Sequence, residues 1–383
     1  MSTNQQITRR RMLTVATAGT AGAITATLFR RPAHAANAFE NAAGADAAGA
    51  DAGGADPRIQ GPFLILSTPF TAAGAVDFDA LARQACYVDW CGCPGMIWPQ
   101  SGDSVDLLTT DEKLKGMEVL ARTARKLSTT ALCLGVQGKD TAEMLMFAEH
   151  VEKLAPPAII SRPPDSGKTE DDLRQYWHAL AAVTKRPVFI QTTGGVAYKG
   201  PIPSVDLLIE LARDFPNFGY VKEEAGNVIA RTRALLAAKP PIRRVFSARG
   251  GYGWLYELRL GSEGLITERA IYADVLTRIW QLHKSGSDPA AVRDAYSKFV
   301  LMINLATTHP GDLRGYQLYL WKKRGVFQTM VSRHYGPGGT IPASPIYSEQ
   351  ELSPEEIAEI EYRFEALKPY QKPGSPDFSA AAP

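Results

Sequence analysis

From Gly61 onward the chain alternates short apolar, β-branched runs with longer stretches whose apolar positions recur every three or four residues. Eight runs have the first character: FLILSTPF (Phe63 to Phe70), GMIWPQ (Gly95 to Gln100), TALCLGVQ (Thr130 to Gln137), PAIISRPP (Pro157 to Pro164), PVFIQTT (Pro187 to Thr193), GYVKEE (Gly219 to Glu224), RVFSARG (Arg244 to Gly250) and EGLITE (Glu263 to Glu268). Between them lie amphipathic stretches, among them Asp77 to Cys91, Thr109 to Leu127, Thr141 to Leu154, Glu170 to Thr184 and Ser204 to Phe215. Several open on Asp, Thr or Ser in capping position.

Strands apolar on both faces, alternating with helices, require a parallel sheet covered by those helices. Eight such units over residues 61–268 predict an α/β fold, a closed (β/α)8 TIM barrel. An open doubly wound sheet is the alternative, but no glycine-rich phosphate loop follows the first strand. After Thr267 the pattern turns helical, so residues 269–371 are expected to form a C-terminal helical extension and 372–383 a flexible tail. The stretch Arg333 to Pro345, rich in Gly and Pro, reads as a loop that either covers the pocket mouth or lies plainly on the surface.

The N-terminal region is of another kind. Arg9, Arg10 and Arg11 precede a weakly apolar run, and Ala33 to Ala35 offers small residues for cleavage, as in a twin-arginine export signal over residues 1–35. Residues 36–60 repeat Ala, Gly and Asp and lack the apolar surface to offset ordering, so they read as a disordered linker. The expectation is a periplasmic or secreted protein that leaves the membrane once the signal is removed. The whole chain carries a formal charge of +2, but the first 35 residues hold five arginines and no acid, leaving 37 basic against 40 acidic residues. Neither charge nor motif supports nucleic-acid binding. The four cysteines, Cys86, Cys91, Cys93 and Cys133, lack the paired spacing of a zinc site and read as buried free thiols.

In a barrel of this kind chemistry gathers at the C-terminal ends of the strands. Those ends carry Ser67 and Thr68; Gln100, Ser101 and Asp103; Arg162 and Asp165; Gln191, Thr192 and Thr193; Lys222 and Glu223; Ser247 and Arg249; Thr267 and Glu268. Such a rim suits a small, oxygen-rich anion. Lys222, preceded by apolar Gly-Tyr-Val, is the notable member. A desolvated lysine spends part of its time as the neutral amine, which attacks a ketone and leaves a protonated imine. A lysine that only binds an anion, or is salt-bridged for structure, is the plainer reading of the same position.

The run YVKEEAGN (Tyr220 to Asn227) resembles the KEATGN-like sixth-strand segment of the dihydrodipicolinate synthase / N-acetylneuraminate lyase family of class I pyruvate aldolases. ILSTPF (Ile65 to Phe70), PQSGDSVDLLTTDEK (Pro99 to Lys113) and GSEGLIT (Gly261 to Thr267) are similar to the family's first-strand, GTTGE-loop and last-strand segments. The resemblance implies that Lys222 forms the Schiff base on a 2-oxo acid such as pyruvate, that no metal or organic cofactor is needed, and that the protein is a homo-oligomer, dimer or tetramer. Departures accompany it. Gln191 stands where the family has its proton-relaying tyrosine; Gln100 and Ser101 replace the threonines of GTTGE; Gly195 or Val196 meets an arginine; PPDSG replaces an aromatic pair and leaves Asp165. Glutamine cannot act as a general acid near neutral pH.

The expectation is therefore a lysine Schiff-base lyase with Lys222, Gln191 and Asp165 as catalytic residues, Tyr198 being a second candidate proton donor. Thr68, Gln100, Ser101, the Gly102–Asp103 turn, Arg249 and Thr267 would bind substrate. Arg249 and Arg162 either hold a second carboxylate or pair with Asp103 or Glu268. The rival reading is a barrel that kept its anion pocket, lost turnover, and serves as a binding or scaffold protein.

Overall fold

The computed structural model describes residues 55–305 and 314–382, so the export signal and residues 36–54 of the linker lie outside the described residues. The eight expected strands close into one parallel barrel in chain order. They are β1 (Gly61–Ile65), β2 (Gly95–Trp98), β3 (Ala131–Gly135), β4 (Ala158–Ser161), β5 (Val188–Gln191), β6 (Tyr220–Lys222), β7 (Arg244–Ser247) and β8 (Gly264–Thr267). Helices α1 (Phe78–Trp90), α2 (Thr110–Ala124), α3 (Thr141–Leu154), α4 (Glu170–Val183), α5 (Val205–Asp214), α6 (Val228–Ala237) and α7 (Trp254–Leu260) follow the first seven strands in turn. Their starts are set by local chemistry. The Thr109 hydroxyl accepts from the Glu112 amide at 3.2 Å while Glu112 accepts from the Thr109 amide at 2.9 Å, and Thr169 with Asp172 repeats this box at α4.

Successive strand residues point to opposite faces, so each strand feeds two cores. Leu64, Met96, Ile159, Val188, Val221 and Leu265 pack outward under the helices, whereas Phe63, Ile65, Ile97, Cys133, Ile160, Phe189, Tyr220, Phe246 and Ile266 fill the barrel. The filling is aromatic at its centre: Phe189 lies 5.4 Å from Phe63, 5.0 Å from Phe246 and 5.6 Å from Tyr220, ring centre to ring centre. Small residues make room for it. A methyl group on Gly95 would come within 2.3 Å of the Phe63 ring. The plug closes the barrel interior below the rim on which the polar strand ends stand.

The C-terminal extension holds α8 (Ala273–Ser285), α9 (Pro289–Ile303), α10 (Arg314–Lys323) and α11 (Pro354–Glu365). It is not wholly helical. Val331–His334 (β9) and Ile346–Glu349 (β10) pair antiparallel, Tyr347 opposite Arg333, across the stretch expected to be a loop. Two four-residue strands are too short to stand out among glycines and prolines, and it is a tertiary contact that holds the hairpin in place. Arg333, 4% exposed, binds Glu112 at 2.6 and 2.8 Å, the carbonyls of Leu107 and Gly74, and the face of Phe70 at 4.7 Å. At the far end the Lys126 ammonium donates to the Ala382 carbonyl at 2.8 Å.

All four cysteines are free and buried. Burial pushes the Cys86 thiol up to about 11 and that of Cys93 to about 12. Among the described residues no helix is long and apolar enough to cross a membrane.

Candidate active site

Strand alternation that sends Tyr220 into the barrel and Val221 toward the helices returns Lys222 to the interior side, one step above the aromatic plug. In the β5–β6 register Lys222 stands opposite Gln191. The lysine is 4% exposed; its Nζ donates to Gln191 Oε1 at 3.0 Å and lies 3.3 Å from Glu224 Oε1. Thr193 completes the group: its hydroxyl donates to Glu224 Oε1 at 2.5 Å and accepts from Gln191 Nε2 at 3.2 Å. Lysine, glutamine, threonine and glutamate thus close a ring of hydrogen bonds.

A cavity of about 370 Å³ opens beside this ring, and Lys222, Gln191, Glu224 and Thr193 all line it. Ser101 and Gly102 also form part of its lip, and Arg249, Glu268 and Arg269 add to its charged wall. Three cations face two carboxylates there, a surplus of one positive charge that suits an anion. Lys222 is neither directed into bulk water nor sealed in an ion pair without space beside it.

Of the residues expected to form the site, Lys222, Gln191, Ser101, Gly102 and Arg249 share this cavity; Thr68, Gln100, Asp103, Asp165 and Thr267 do not line it. Gln100 is fully buried, accepting from the Ser101 amide at 2.6 Å and from Gln137 Nε2 at 2.7 Å, so it shapes the loop that presents Ser101. Thr68 gives both its amide, at 3.0 Å, and its hydroxyl to Asp103, and the two line a separate cleft of about 20 Å³. The Thr267 hydroxyl donates to Glu268 at 3.1 Å.

Asp165 stands elsewhere, in a cluster with Arg162, Asp106 and Lys113 behind Ser101. Burial holds its carboxyl above the usual range, and burial likewise lowers the Lys113 ammonium. Tyr198 donates its hydroxyl to the Pro201 carbonyl at 2.5 Å within its own loop, and burial pushes its phenol up to about 12. Neither reaches the lysine's cavity.

The arginine pairings expected from sequence need correction. Arg162 binds Asp106, at 2.5 and 3.4 Å, and the Ser101 hydroxyl at 2.5 Å, in place of Asp103 or Glu268. Arg249 has a left-handed backbone at φ 52° and donates to the Glu224 carbonyl at 2.8 Å and the Gly226 carbonyl at 3.2 Å, clasping the turn that carries Glu224.

Glu224 and Arg269 were missed as site residues. Arg269, 3% exposed, is held by the Tyr316 hydroxyl at 2.8 Å and Glu268 at 3.2 Å. The available signal was the substitution of Glu224 for the alanine of a KEATGN-like run. Glu223, by contrast, is fully buried on the outer face, bound to Thr192, the Ala225 amide and Arg231. His178, Glu210 and Asp214 are close enough to share a cation, but they lie on α4 and α5, and Arg174 already binds Glu210 at 2.7 Å.

No protein-family model matches the chain. It is 24% identical over 306 residues to the 4-hydroxy-tetrahydrodipicolinate synthase of Chlorobium chlorochromatii, covering 78% of this chain and 96% of that one. A DapA-like lyase of Pyrococcus abyssi is 23% identical over 239 residues, 61% of this chain and 78% of the relative. The chain resembles the dihydrodipicolinate synthase / N-acetylneuraminate lyase family as a divergent relative.

Among solved folds, the Methylacidiphilum fumariolicum 4-hydroxy-tetrahydrodipicolinate synthase superposes with a TM-score of 0.66 at 18% identity, covering 82% of this chain and 97% of its own. The Ruminococcus gnavus sialic acid aldolase superposes with 0.66 at 15% identity, covering 82% and 98%. At identities this low the two structures speak for the barrel alone. The family is one of pyruvate-utilising lyases, and this barrel is read as a lyase at that level.

Proposed function

We propose that the protein is a class I lyase of the aldolase or dehydratase type that acts on a 2-oxo acid, pyruvate or a sugar-derived oxo acid, through an imine on Lys222. The observation that carries this reading is a buried lysine amine lining a cavity whose wall bears a surplus of positive charge. The neutral amine adds to the ketone carbon, the carbinolamine loses water, and the protonated imine draws electrons from the adjacent carbon so that a carbon–carbon or carbon–oxygen bond can break or form. Ser101, fixed by Arg162, and the Gly102 backbone are placed to hold the carboxylate next to the ketone; Arg249 is available to a second anionic group. The lysine serves as electron sink, and the reaction is read without a metal or organic cofactor. Export through the twin-arginine signal and assembly as a homo-oligomer belong to the same proposal.

One observation favours the rival, a barrel that binds an anion without turning it over. Lys222 already contacts Gln191 and Glu224, and the tyrosine expected at the Gln191 position is absent. Borohydride reduction with a panel of 2-oxo acids separates the two. The enzyme reading expects a mass increase localised to Lys222 and lost in Lys222→Ala; no adduct with any member of the panel would leave the binding barrel.

A further inference from the structure

We infer that Glu224 is the acid–base group of this site, the catalytic residue that moves protons to and from the imine in place of a tyrosine. The inference rests on the imine reading and adds a role to a residue that reading does not require.

A proton carrier must reach both the lysine nitrogen and the carbon next to the imine, which lies two bonds from that nitrogen. Gln191 touches Nζ but has no proton to exchange near neutral pH. Tyr198 is bonded to the Pro201 carbonyl, and Asp165 does not line the cavity. Glu223 is committed to Arg231 and Thr192 on the outer face. Glu268 lines the cavity but is engaged by Arg269 and Thr267.

Glu224 alone of these carboxylates contacts Nζ, at 3.3 Å, and it lines the cavity. Thr193 steadies Oε1, and the Arg249 guanidinium holds the backbone carbonyl of the same residue, so the carboxylate is oriented from two sides. Among the described residues no hydrogen bond engages its other oxygen, Oε2, which is left to carry a proton.

The steps balance without any further reactant. The Glu224 carboxylate takes a proton from the Lys222 ammonium, and the amine pair bonds to the ketone carbon while the carbonyl π pair moves to oxygen. A nitrogen proton passes to that oxygen. Protonated Glu224 then gives its proton to the carbinolamine hydroxyl, which leaves as water as the imine forms. The restored carboxylate next removes a proton from the adjacent carbon; the carbon–hydrogen pair becomes the enamine double bond and the imine π pair returns to nitrogen. Thr193 is a positioning residue in this scheme.

The test uses pyruvate, 2-oxobutyrate and 2-oxoglutarate as probes in deuterium oxide. Exchange of the hydrogens next to the ketone is followed by NMR, and the borohydride-trapped adduct on Lys222 by mass spectrometry. Glu224→Gln, close to isosteric, is expected to form the adduct on prolonged incubation yet to exchange at least about 100-fold more slowly, the ordinary worth of a general base. Glu224→Asp should recover part of the rate, and an unchanged melting temperature in both variants shows that the fold is kept. A Glu224→Gln protein that forms the adduct and exchanges within about threefold of wild type would overturn the role of Glu224 and leave the imine reading intact. A wild-type protein that forms no adduct with any probe would remove the imine reading, and this role with it.

Discussion

Replacing Arg162 by Met isolates the support beneath the anion lip of the cavity. The guanidinium is 4% exposed, and its partner Asp106 has a side chain 12% exposed. Two of its contacts go to Asp106, at 2.5 and 3.4 Å, and one goes to the Ser101 hydroxyl at 2.5 Å. Truncating one member of a buried ion pair leaves the other charged and unpaired, which costs about 3–5 kcal/mol. The lost bond to Ser101 adds about 1 kcal/mol. Arg162→Met should therefore be destabilised by about 4–6 kcal/mol and Asp106→Leu by about 3–5 kcal/mol. The double variant, with no stranded charge, should lose much less, because replacing a whole buried pair by apolar residues is often near neutral. The expected coupling is about 3 kcal/mol, read from urea unfolding in a double-mutant cycle. Asp165 sharpens the test: burial already raises its carboxyl and Arg162 opposes that rise, so removing the arginine raises it further. A carboxyl whose folded pKa exceeds its unfolded value favours folding at low pH and loses that contribution as pH rises, so the Arg162→Met deficit should shrink toward pH 3.8 and widen above it. Ser101, released from its donor, should bind the 2-oxo acid carboxylate about fivefold more weakly, the equivalent of about 1 kcal/mol. A coupling energy below about 1 kcal/mol would refute the argument, since it would mean that the pair is solvated like a surface contact.

Burial and packing elsewhere in the fold set three more outcomes. The four buried thiols should resist Ellman's reagent in the native protein and react fully once it is unfolded, with no two-dalton mass deficit to betray a disulfide. Glu257, 4% exposed and with Oε2 unbonded, has a carboxyl raised by burial above the ordinary 4.5. Its ionised form opposes folding, so Glu257→Gln should raise the melting temperature at pH 8 and lose that advantage as the pH falls below 4.5, as calorimetry would show; equal effects at both ends would count against burial as the cause. Gly95→Ala places a methyl 2.3 Å from the Phe63 ring inside the barrel and should cost about 1–3 kcal/mol in urea unfolding, the usual toll of overpacking, whereas free accommodation would mean that the aromatic plug is loose.

The eight strands, their alternation with helices and the polar residues at the strand ends were legible in the sequence, because they depend on local pattern. A period of two puts neighbouring residues on opposite sides of a strand, but with both sides apolar only the closed barrel shows which side is the interior. The stretch between the short strands β9 and β10 carried no such period, so their pairing waited on the anchoring of Arg333 to Glu112. Partner choice on the rim was equally out of reach. Gln191 and Lys222 meet across 31 residues, and Arg162 meets Asp106 across 56, through strand register and loop shape that no local pattern encodes. Composition and spacing could thus say which groups arrive at the mouth of the barrel, but hydrogen bonding between them depends on ångström-scale placement across separate strands. Only the folded chain decides that Glu224 faces the lysine and Asp165 does not.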